Sequence, residues 1–163
     1  MSTLQQQAQA TVAALKKARL VATAAESCTG GLIAATLTGV PGASVVFRYG
    51  WVTYCNEAKE RLLGVPASLI EQFTVVSEPV AAAMAEGALR ASGADLAVAV
   101  TGNAGPTAAA GEPPVGTVCI ALARRGATTH TETLLRPDLE RNPLRDLVCL
   151  RALQLLQSAA LPC

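Results

Sequence analysis

Aromatic residues make up only 3% of this 163-residue chain, charged residues 15%, and a single histidine is present. Few aromatics and a net charge of +1, with no basic stripe, leave base stacking and phosphate neutralisation without their side chains, which argues against nucleic acid as a partner. Although 51% of the residues are hydrophobic, no apolar run approaches the roughly 18–20 residues of a membrane span. The amino terminus has no basic segment followed by an apolar stretch, so no signal peptide is expected and the protein is placed in the cytoplasm. The cysteines, Cys28, Cys55, Cys119, Cys149 and Cys163, form no CxxC and do not interleave with histidine. They fit reduced core thiols better than disulfides or a metal site. No GxGxxG or GxxxxGK[ST] occurs, so neither a dinucleotide fingerprint nor a P-loop is supported, and no cofactor is expected.

What remains is an alanine- and valine-rich chain punctuated by small-residue turns. Leu4–Ala18 has helical spacing and ends in Lys16, Lys17 and Arg19, which suit a helix C-terminus. Leu20–Ala24 is expected to be a buried strand and residues 32–38 the helix after it. Val45–Phe47 and Tyr49–Tyr54 are strand material, and Asn56 is expected to cap a short helix closed by Gly64. Ser77-Glu78-Pro79 starts a helix that runs to Ser92 before Gly93. Leu96–Val100 is a fully apolar strand, and residues 107–114 are flexible by composition. A hairpin turns at Arg125-Gly126-Ala127, and Asn142-Pro143 opens a last helix through Leu156. This order predicts one domain over residues 1–163: a three-layer α/β/α fold with a mixed, largely parallel sheet and a C-terminal β-hairpin plus helix.

The run Ala25-Glu26-Ser27-Cys28-Thr29-Gly30-Gly31 joins the first strand to its helix. Such a turn offers backbone N–H groups and the positive end of a helix dipole, a setting that favours phosphate or a developing oxyanion. The plain alternative is an N-cap made by Ser27 or Thr29. A second small-residue loop, Thr101-Gly102-Asn103-Ala104-Gly105-Pro106, follows the apolar strand, and ligands of open α/β sheets sit beyond such strand ends. The lone His130 lies in the hairpin, so a Ser-His-Asp triad is disfavoured and a serine nucleophile would need Lys or Tyr. Tyr54 and Lys59 flank a strand-to-helix junction and can both reach one site, although Lys59 taken alone fits a solvated helix face better. Cys28 is a competing nucleophile. Arg141 and Arg145, four apart, share a helix face suited to phosphate or carboxylate, or to ion pairs with Glu140 and Asp146.

Five segments in this order and spacing, Glu26–Gly31, Tyr54–Lys59, Val76–Pro79, Thr101–Pro106 and Pro114–Val118, resemble the C-terminal domain of the competence/damage-inducible protein CinA. That domain is also found as a stand-alone nicotinamide-mononucleotide (NMN) deamidase. The resemblance spans roughly residues 5 to 157. It implies hydrolysis of NMN to nicotinate mononucleotide and ammonia, with Ser27 as nucleophile and Tyr54 and Lys59 as activating partners. It also implies that Thr29, Gly30 and Gly31 hold the reacting carbonyl, that Thr101 and its loop close the pocket, and that Arg145 holds the phosphate. Glu26, Ser44, Gly102 and Asn103 complete the implied substrate-binding set. The chain resembles the single-domain form, without the family's molybdopterin-binding-like module, and a homo-oligomer is expected. Asn103 and Ala108-Ala109 depart from the family's loop, and Leu139-Glu140-Arg141 replaces its Gly-Asp-Arg. These departures keep open a second reading, a non-catalytic module that binds a nucleotide or a protein.

Overall fold

The computed structural model describes residues 1–162, so Cys163 lies outside the described residues. Five strands, β1 (Ala22–Glu26), β2 (Phe47–Val52), β3 (Leu96–Gly102), β4 (Thr117–Arg124) and β5 (His130–Leu135), form one sheet in the order β2-β1-β3-β4-β5. The pairings of β1 with β2 and β3 are parallel, and those of β3 with β4 and of β4 with β5 are antiparallel. Six α-helices complete the domain: α1 (Thr3–Ala18), α2 (Leu32–Thr38), α3 (Asn56–Leu63), α4 (Ala67–Phe73), α5 (Glu78–Ser92) and α6 (Arg141–Ala160). The expected three-layer α/β/α architecture with a mixed sheet is present.

Side-chain alternation along the central strands sorts the two layers. Leu96, Val98, Val100, Val118 and Ile120 face a core shared with α1, α2 and α6. Ala97, Ala99, Cys119, Ala121 and Ala123 face the other way, toward Val80, Ala81, Met84 and Ala85 of α5. Alanine on both the strands and the helix lets α5 lie close to the sheet, while the branched residues fill the thicker opposite layer. Gly87 in α5 carries this closeness to α3, because a Cβ there would sit 2.0 Å from the Leu63 carbonyl oxygen. The glycine therefore fixes how near α3 can approach.

Boundaries differ from the sequence reading where alanine blurs periodicity. β1 runs two residues later than expected and includes Glu26. Ala43–Val45 forms a 3-10 turn, η1, so β2 starts only at Phe47, and it stops at Val52 before Tyr54. Cys55, not Asn56, is the N-cap of α3, without a side-chain bond. Helix α4 had no counterpart in the sequence reading, and α6 continues to Ala160. Cys28, Cys119 and Cys149 are buried free thiols as expected, whereas Cys55 is exposed. Among the described residues, no helix is long and apolar enough to cross a membrane.

Candidate active site

The carboxyl ends of the three parallel strands meet on one edge. Ser27 follows β1, Thr53 and Tyr54 follow β2, and Thr101-Gly102 close β3. The Ser27 N–H donates to the Val100 carbonyl at 3.1 Å, tying the turn to the neighbouring strand. The Thr101 hydroxyl donates to the Val75 carbonyl at 2.9 Å, and Gly102 passes Val118 so closely that a Cβ would lie 2.6 Å from it.

Glu26 organises the turn. Its buried carboxylate accepts from the Thr29 hydroxyl at 2.6 Å, from Gly31 N at 3.1 Å and Ile33 N at 3.0 Å on one oxygen, and from Ala34 N at 2.8 Å on the other. The first-turn donors of α2, which the sequence suggested would be free for a ligand, are consumed within the protein: Ile33 and Ala34 by this carboxylate, Leu32 by the Thr29 carbonyl at 3.1 Å. Gly30 N is used as well, donating to the Ser27 carbonyl at 3.0 Å. Gly31 is the N-cap at φ 100°, a conformation only glycine adopts readily. Neither Ser27 nor Thr29 caps the helix. Among the described residues, the N–H groups of Cys28 and Thr29 make no hydrogen bond to an oxygen and are the turn's remaining donors.

Lys59 projects from α3 into this turn and is 1% exposed. Its Nζ lies 2.9 Å from Ser27 Oγ and donates to the Thr53 carbonyl at 2.7 Å. Among the described residues, no carboxylate pairs with it. Burial lowers its pKa from the ordinary 10.5, an effect that the nearby Cys55 and Cys28 thiols only partly oppose. The amine is therefore drawn toward its neutral form. Cys28 moves the other way. Burial foremost, and the Glu26 charge with it, push its thiol up to about 12, against smaller opposing pulls from its own backbone N–H and from Arg145 and Lys59. A thiol held protonated is a poor nucleophile, so the geometry favours Ser27.

A cavity of about 440 Å³ opens over these groups, within the roughly 300–1,000 Å³ of small-molecule sites. Ser27, Cys28, Tyr54 and Lys59 line one side, and Thr101, Gly102, Asn103 and the loop to Glu112 line the other. Tyr54 is 63% exposed and makes no side-chain hydrogen bond to Ser27 or Lys59. Asn103 shapes its loop, donating to the Pro113 carbonyl at 3.4 Å and accepting from Gly105 N at 3.0 Å.

Six residues of the expected substrate-binding set lie outside this lining: Glu26, Thr29, Gly30, Gly31, Ser44 and Arg145. Glu26 and Thr29 are buried beneath the turn, while Gly30 is exposed and Gly31 half-buried as the N-cap of α2. Ser44 sits in η1, ahead of β2, at the amino end of the parallel strands and so at the opposite end of the sheet from Ser27. Arg145 donates to the Thr29 carbonyl at 2.9 Å and to Asn142 Oδ1 at 3.1 Å, bracing the turn from behind. Arg141 lines the cavity instead, with its guanidinium on the Gly105 carbonyl. Helical spacing places both arginines on one face but cannot tell which arm reaches the site. Glu112, another lining residue the sequence did not single out, keeps a buried carboxylate oxygen without a partner among the described residues. His130 lies on β5, 3.3 Å from Glu132 and away from the cavity.

Comparison with known proteins agrees with this architecture. The family model "CinA C-terminal domain" matches residues 4–160. The chain is 55% identical over 144 residues to a CinA-like protein of Akkermansia muciniphila, covering 88% of this chain and 34% of that protein. It is 54% identical over 135 residues to one from an Anaeromyxobacter species, covering 83% and 32%. It thus spans about a third of the length of these relatives. The crystal structure of competence/damage inducible protein CihA from Agrobacterium tumefaciens superposes with a TM-score of 0.92 at 38% identity, covering 97% of this chain and 96% of that one. A competence or damage-inducible protein from Enterobacter asburiae gives 0.92 at 31% identity, covering 99% and 100%. The fold and the strand-end site define a three-layer α/β domain of the competence/damage-inducible type. The chain belongs to the CinA C-terminal domain family.

Proposed function

We propose that this domain is a serine amidohydrolase that deamidates NMN to nicotinate mononucleotide, releasing ammonia in pyridine nucleotide recycling. The observation that carries the reading is the buried Lys59 Nζ, 2.9 Å from Ser27 Oγ and, among the described residues, with no carboxylate to hold its charge. A neutral lysine beside a serine hydroxyl is the Ser-Lys version of nucleophile activation. One N–H of the amine donates to the Thr53 carbonyl, which holds Nζ beside the Ser27 hydroxyl.

In this mechanism Lys59 takes the Ser27 proton as Oγ attacks the amide carbon, forming a C–O bond and a tetrahedral oxyanion. The unused N–H groups of Cys28 and Thr29 are the turn's donors for that charge. Collapse breaks the C–N bond, and Lys59 passes its proton to the departing nitrogen, which leaves as ammonia. Water then adds to the acyl-serine as Lys59 accepts one of its protons; the C–O bond to Ser27 breaks, Lys59 returns that proton to Oγ, and the acid formed loses its remaining proton to solvent to give the carboxylate product. Tyr54 stands at the mouth, where it can contact the pyridinium ring, and Arg141 supplies the cavity's positive charge for the phosphate.

Purified protein incubated with NMN should release ammonia and nicotinate mononucleotide in equal amounts. Saturable NMN binding without ammonia at any pH would overturn the hydrolase reading and support a nucleotide-binding module.

A further inference from the structure

Glu112 lines the cavity from the wall opposite Ser27 and Lys59, and the mechanism does not use it. Among the described residues its Oε2 is buried without a donor, and no lysine or arginine forms an ion pair with the carboxylate. An acceptor left in this way has given up its water with nothing in return, which native structures seldom tolerate. Arg145 Nε also lacks a partner, but the other two nitrogens of that guanidinium are bonded. Glu112 has no such compensation.

The backbone around it is held firmly. Ala109–Glu112 is a hydrogen-bonded turn, in which Glu112 N–H donates to the Ala109 carbonyl at 3.1 Å and Gly111 takes the third position at φ 84°. Asn103 ties the far end of the loop back to β3 and β4: its Nδ2 donates to the Pro113 carbonyl at 3.4 Å and its backbone N–H to the Thr117 carbonyl at 2.9 Å. The Arg141 guanidinium rests on the Gly105 carbonyl of the same loop. One loop therefore carries the carboxylate and seats the cavity's positive charge.

We infer that Glu112 is a specificity-determining residue that binds the 2′- and 3′-hydroxyls of the substrate's ribose and so restricts the site to ribonucleotides. This assignment rests on the deamidase reading, which fixes the two ends of the ligand, the carboxamide at Ser27 and the phosphate at Arg141. The ribose joins them. Apart from its phosphate, NMN has three donor groups, the carboxamide NH2 and the two ribose hydroxyls. With the amide held at the opposite wall, the hydroxyls are what remains for a carboxylate on the loop that seats Arg141. A cis-diol offers two O–H donors side by side, and bonds from hydroxyls to a charged carboxylate are short and strong. Acidic side chains bind ribose hydroxyls in other nucleotide sites for this reason. The terminal torsion of a glutamate is soft, so a small rotation brings Oε2 out beside Oε1 to meet the diol. The ligand then supplies the donors that the protein withholds.

Steady-state deamidation of NMN and of its 2′,3′-dideoxy analogue, by the wild type, Glu112→Gln and Glu112→Ala, tests this. The wild type should favour NMN by about 10- to 100-fold in kcat/KM, the worth of charge-assisted hydrogen bonds. Glu112→Ala should erase that preference through a rise of about 10- to 100-fold in KM for NMN, with kcat within about threefold and the analogue's kcat/KM within about twofold. Glu112→Gln, which keeps one acceptor oxygen, should fall between. Ligand-free Tm should not drop in either variant, because no partner is lost. A wild type indifferent to the hydroxyls would overturn the assignment. So would a Glu112→Ala that weakens both nucleotides equally or leaves KM for NMN unchanged, and a Tm lowered in both variants would mark a structural role instead. If Glu112→Ala does not fold, the isosteric Glu112→Gln carries the comparison. Should NMN release no ammonia, the deamidase reading fails by itself, and calorimetric binding of the same two nucleotides decides Glu112 by the same ratios. Deamidation without discrimination fails Glu112 alone, and NMN that neither reacts nor binds overturns both.

Discussion

Lys59 and Ser27, 32 positions apart, meet at 2.9 Å because two strands and a helix end at the same place. β1 delivers the serine, β2 delivers the Thr53 carbonyl, and α3 returns the lysine over both. Cys28 is adjacent in sequence, but its pKa is pushed up to about 12. Ser27→Ala should therefore abolish ammonia release without loss of the native circular dichroism spectrum, while Cys28→Ala stays active. An active Ser27→Ala with an inactive Cys28→Ala would transfer the nucleophile to sulfur.

The lysine makes a pH-dependent prediction on two observables. Burial lowers its folded pKa below 10.5. Between those two values the unfolded chain holds a proton that the folded chain has lost, so stability should rise with pH across the window. Below the window both states carry the proton, and the folded state bears the full cost of a buried, unpaired ammonium. Lys59→Met should accordingly raise Tm at neutral pH and flatten its pH dependence, while kcat falls by ~10²–10⁴ with KM little changed. In the wild type, kcat should climb with pH as the amine deprotonates. A Lys59→Met enzyme with intact kcat and a raised KM would make Lys59 a binding residue.

How much of this was readable beforehand depended on where the physics is local. Ser77 as N-cap, with Gly64 and Gly93 as left-handed helix ends, is set by backbone chemistry within a few residues, and each appears where expected. The Ser27–Tyr54–Lys59 grouping was also legible, because strand ends and small-residue turns coincide in the sequence. The role of Glu26 was not. Its carboxylate reaches eight positions forward to Ala34, and nothing in residue spacing separates a turn with free donors from one that fills them itself. β1 lies two residues later than its sequence suggests because consecutive alanines carry no amphipathic period. Helix α4 leaves no mark in the sequence for a similar reason: it is seven residues long, has no side-chain cap and buries no residue fully.

Glu26 should act on stability more than on substrate affinity. Removing its carboxylate leaves three backbone N–H groups and the Thr29 hydroxyl without their acceptor. Unmet donors in a buried setting cost about 1–3 kcal/mol each. Glu26→Ala should lose about 3 kcal/mol or more in denaturant unfolding. Glu26→Gln, which keeps one acceptor oxygen, should lose less and keep a near-normal KM for NMN. A raised KM in Glu26→Gln with unchanged stability would return this residue to the substrate-binding set.

The two arginines of α6 separate binding from bracing. Arg141 lines the cavity, whereas Arg145 donates to the Thr29 carbonyl behind the nucleophile turn. If Arg141 holds the phosphate, Arg141→Ala should lower kcat/KM for NMN by about one to two decades, the worth of a charge-assisted contact of roughly 1.5–3 kcal/mol. Nicotinamide riboside, which lacks the phosphate, should barely respond. Arg145→Ala leaves the Thr29 carbonyl with the Leu32 N–H alone and loosens the turn. It should cost about 1 kcal/mol of stability and reduce kcat for both substrates by the same factor. The ratio of NMN to riboside kcat/KM is thus the deciding measurement. A ratio that collapses in Arg145→Ala and holds in Arg141→Ala would move the phosphate to Arg145, and would require that arm to leave the Thr29 carbonyl when substrate binds.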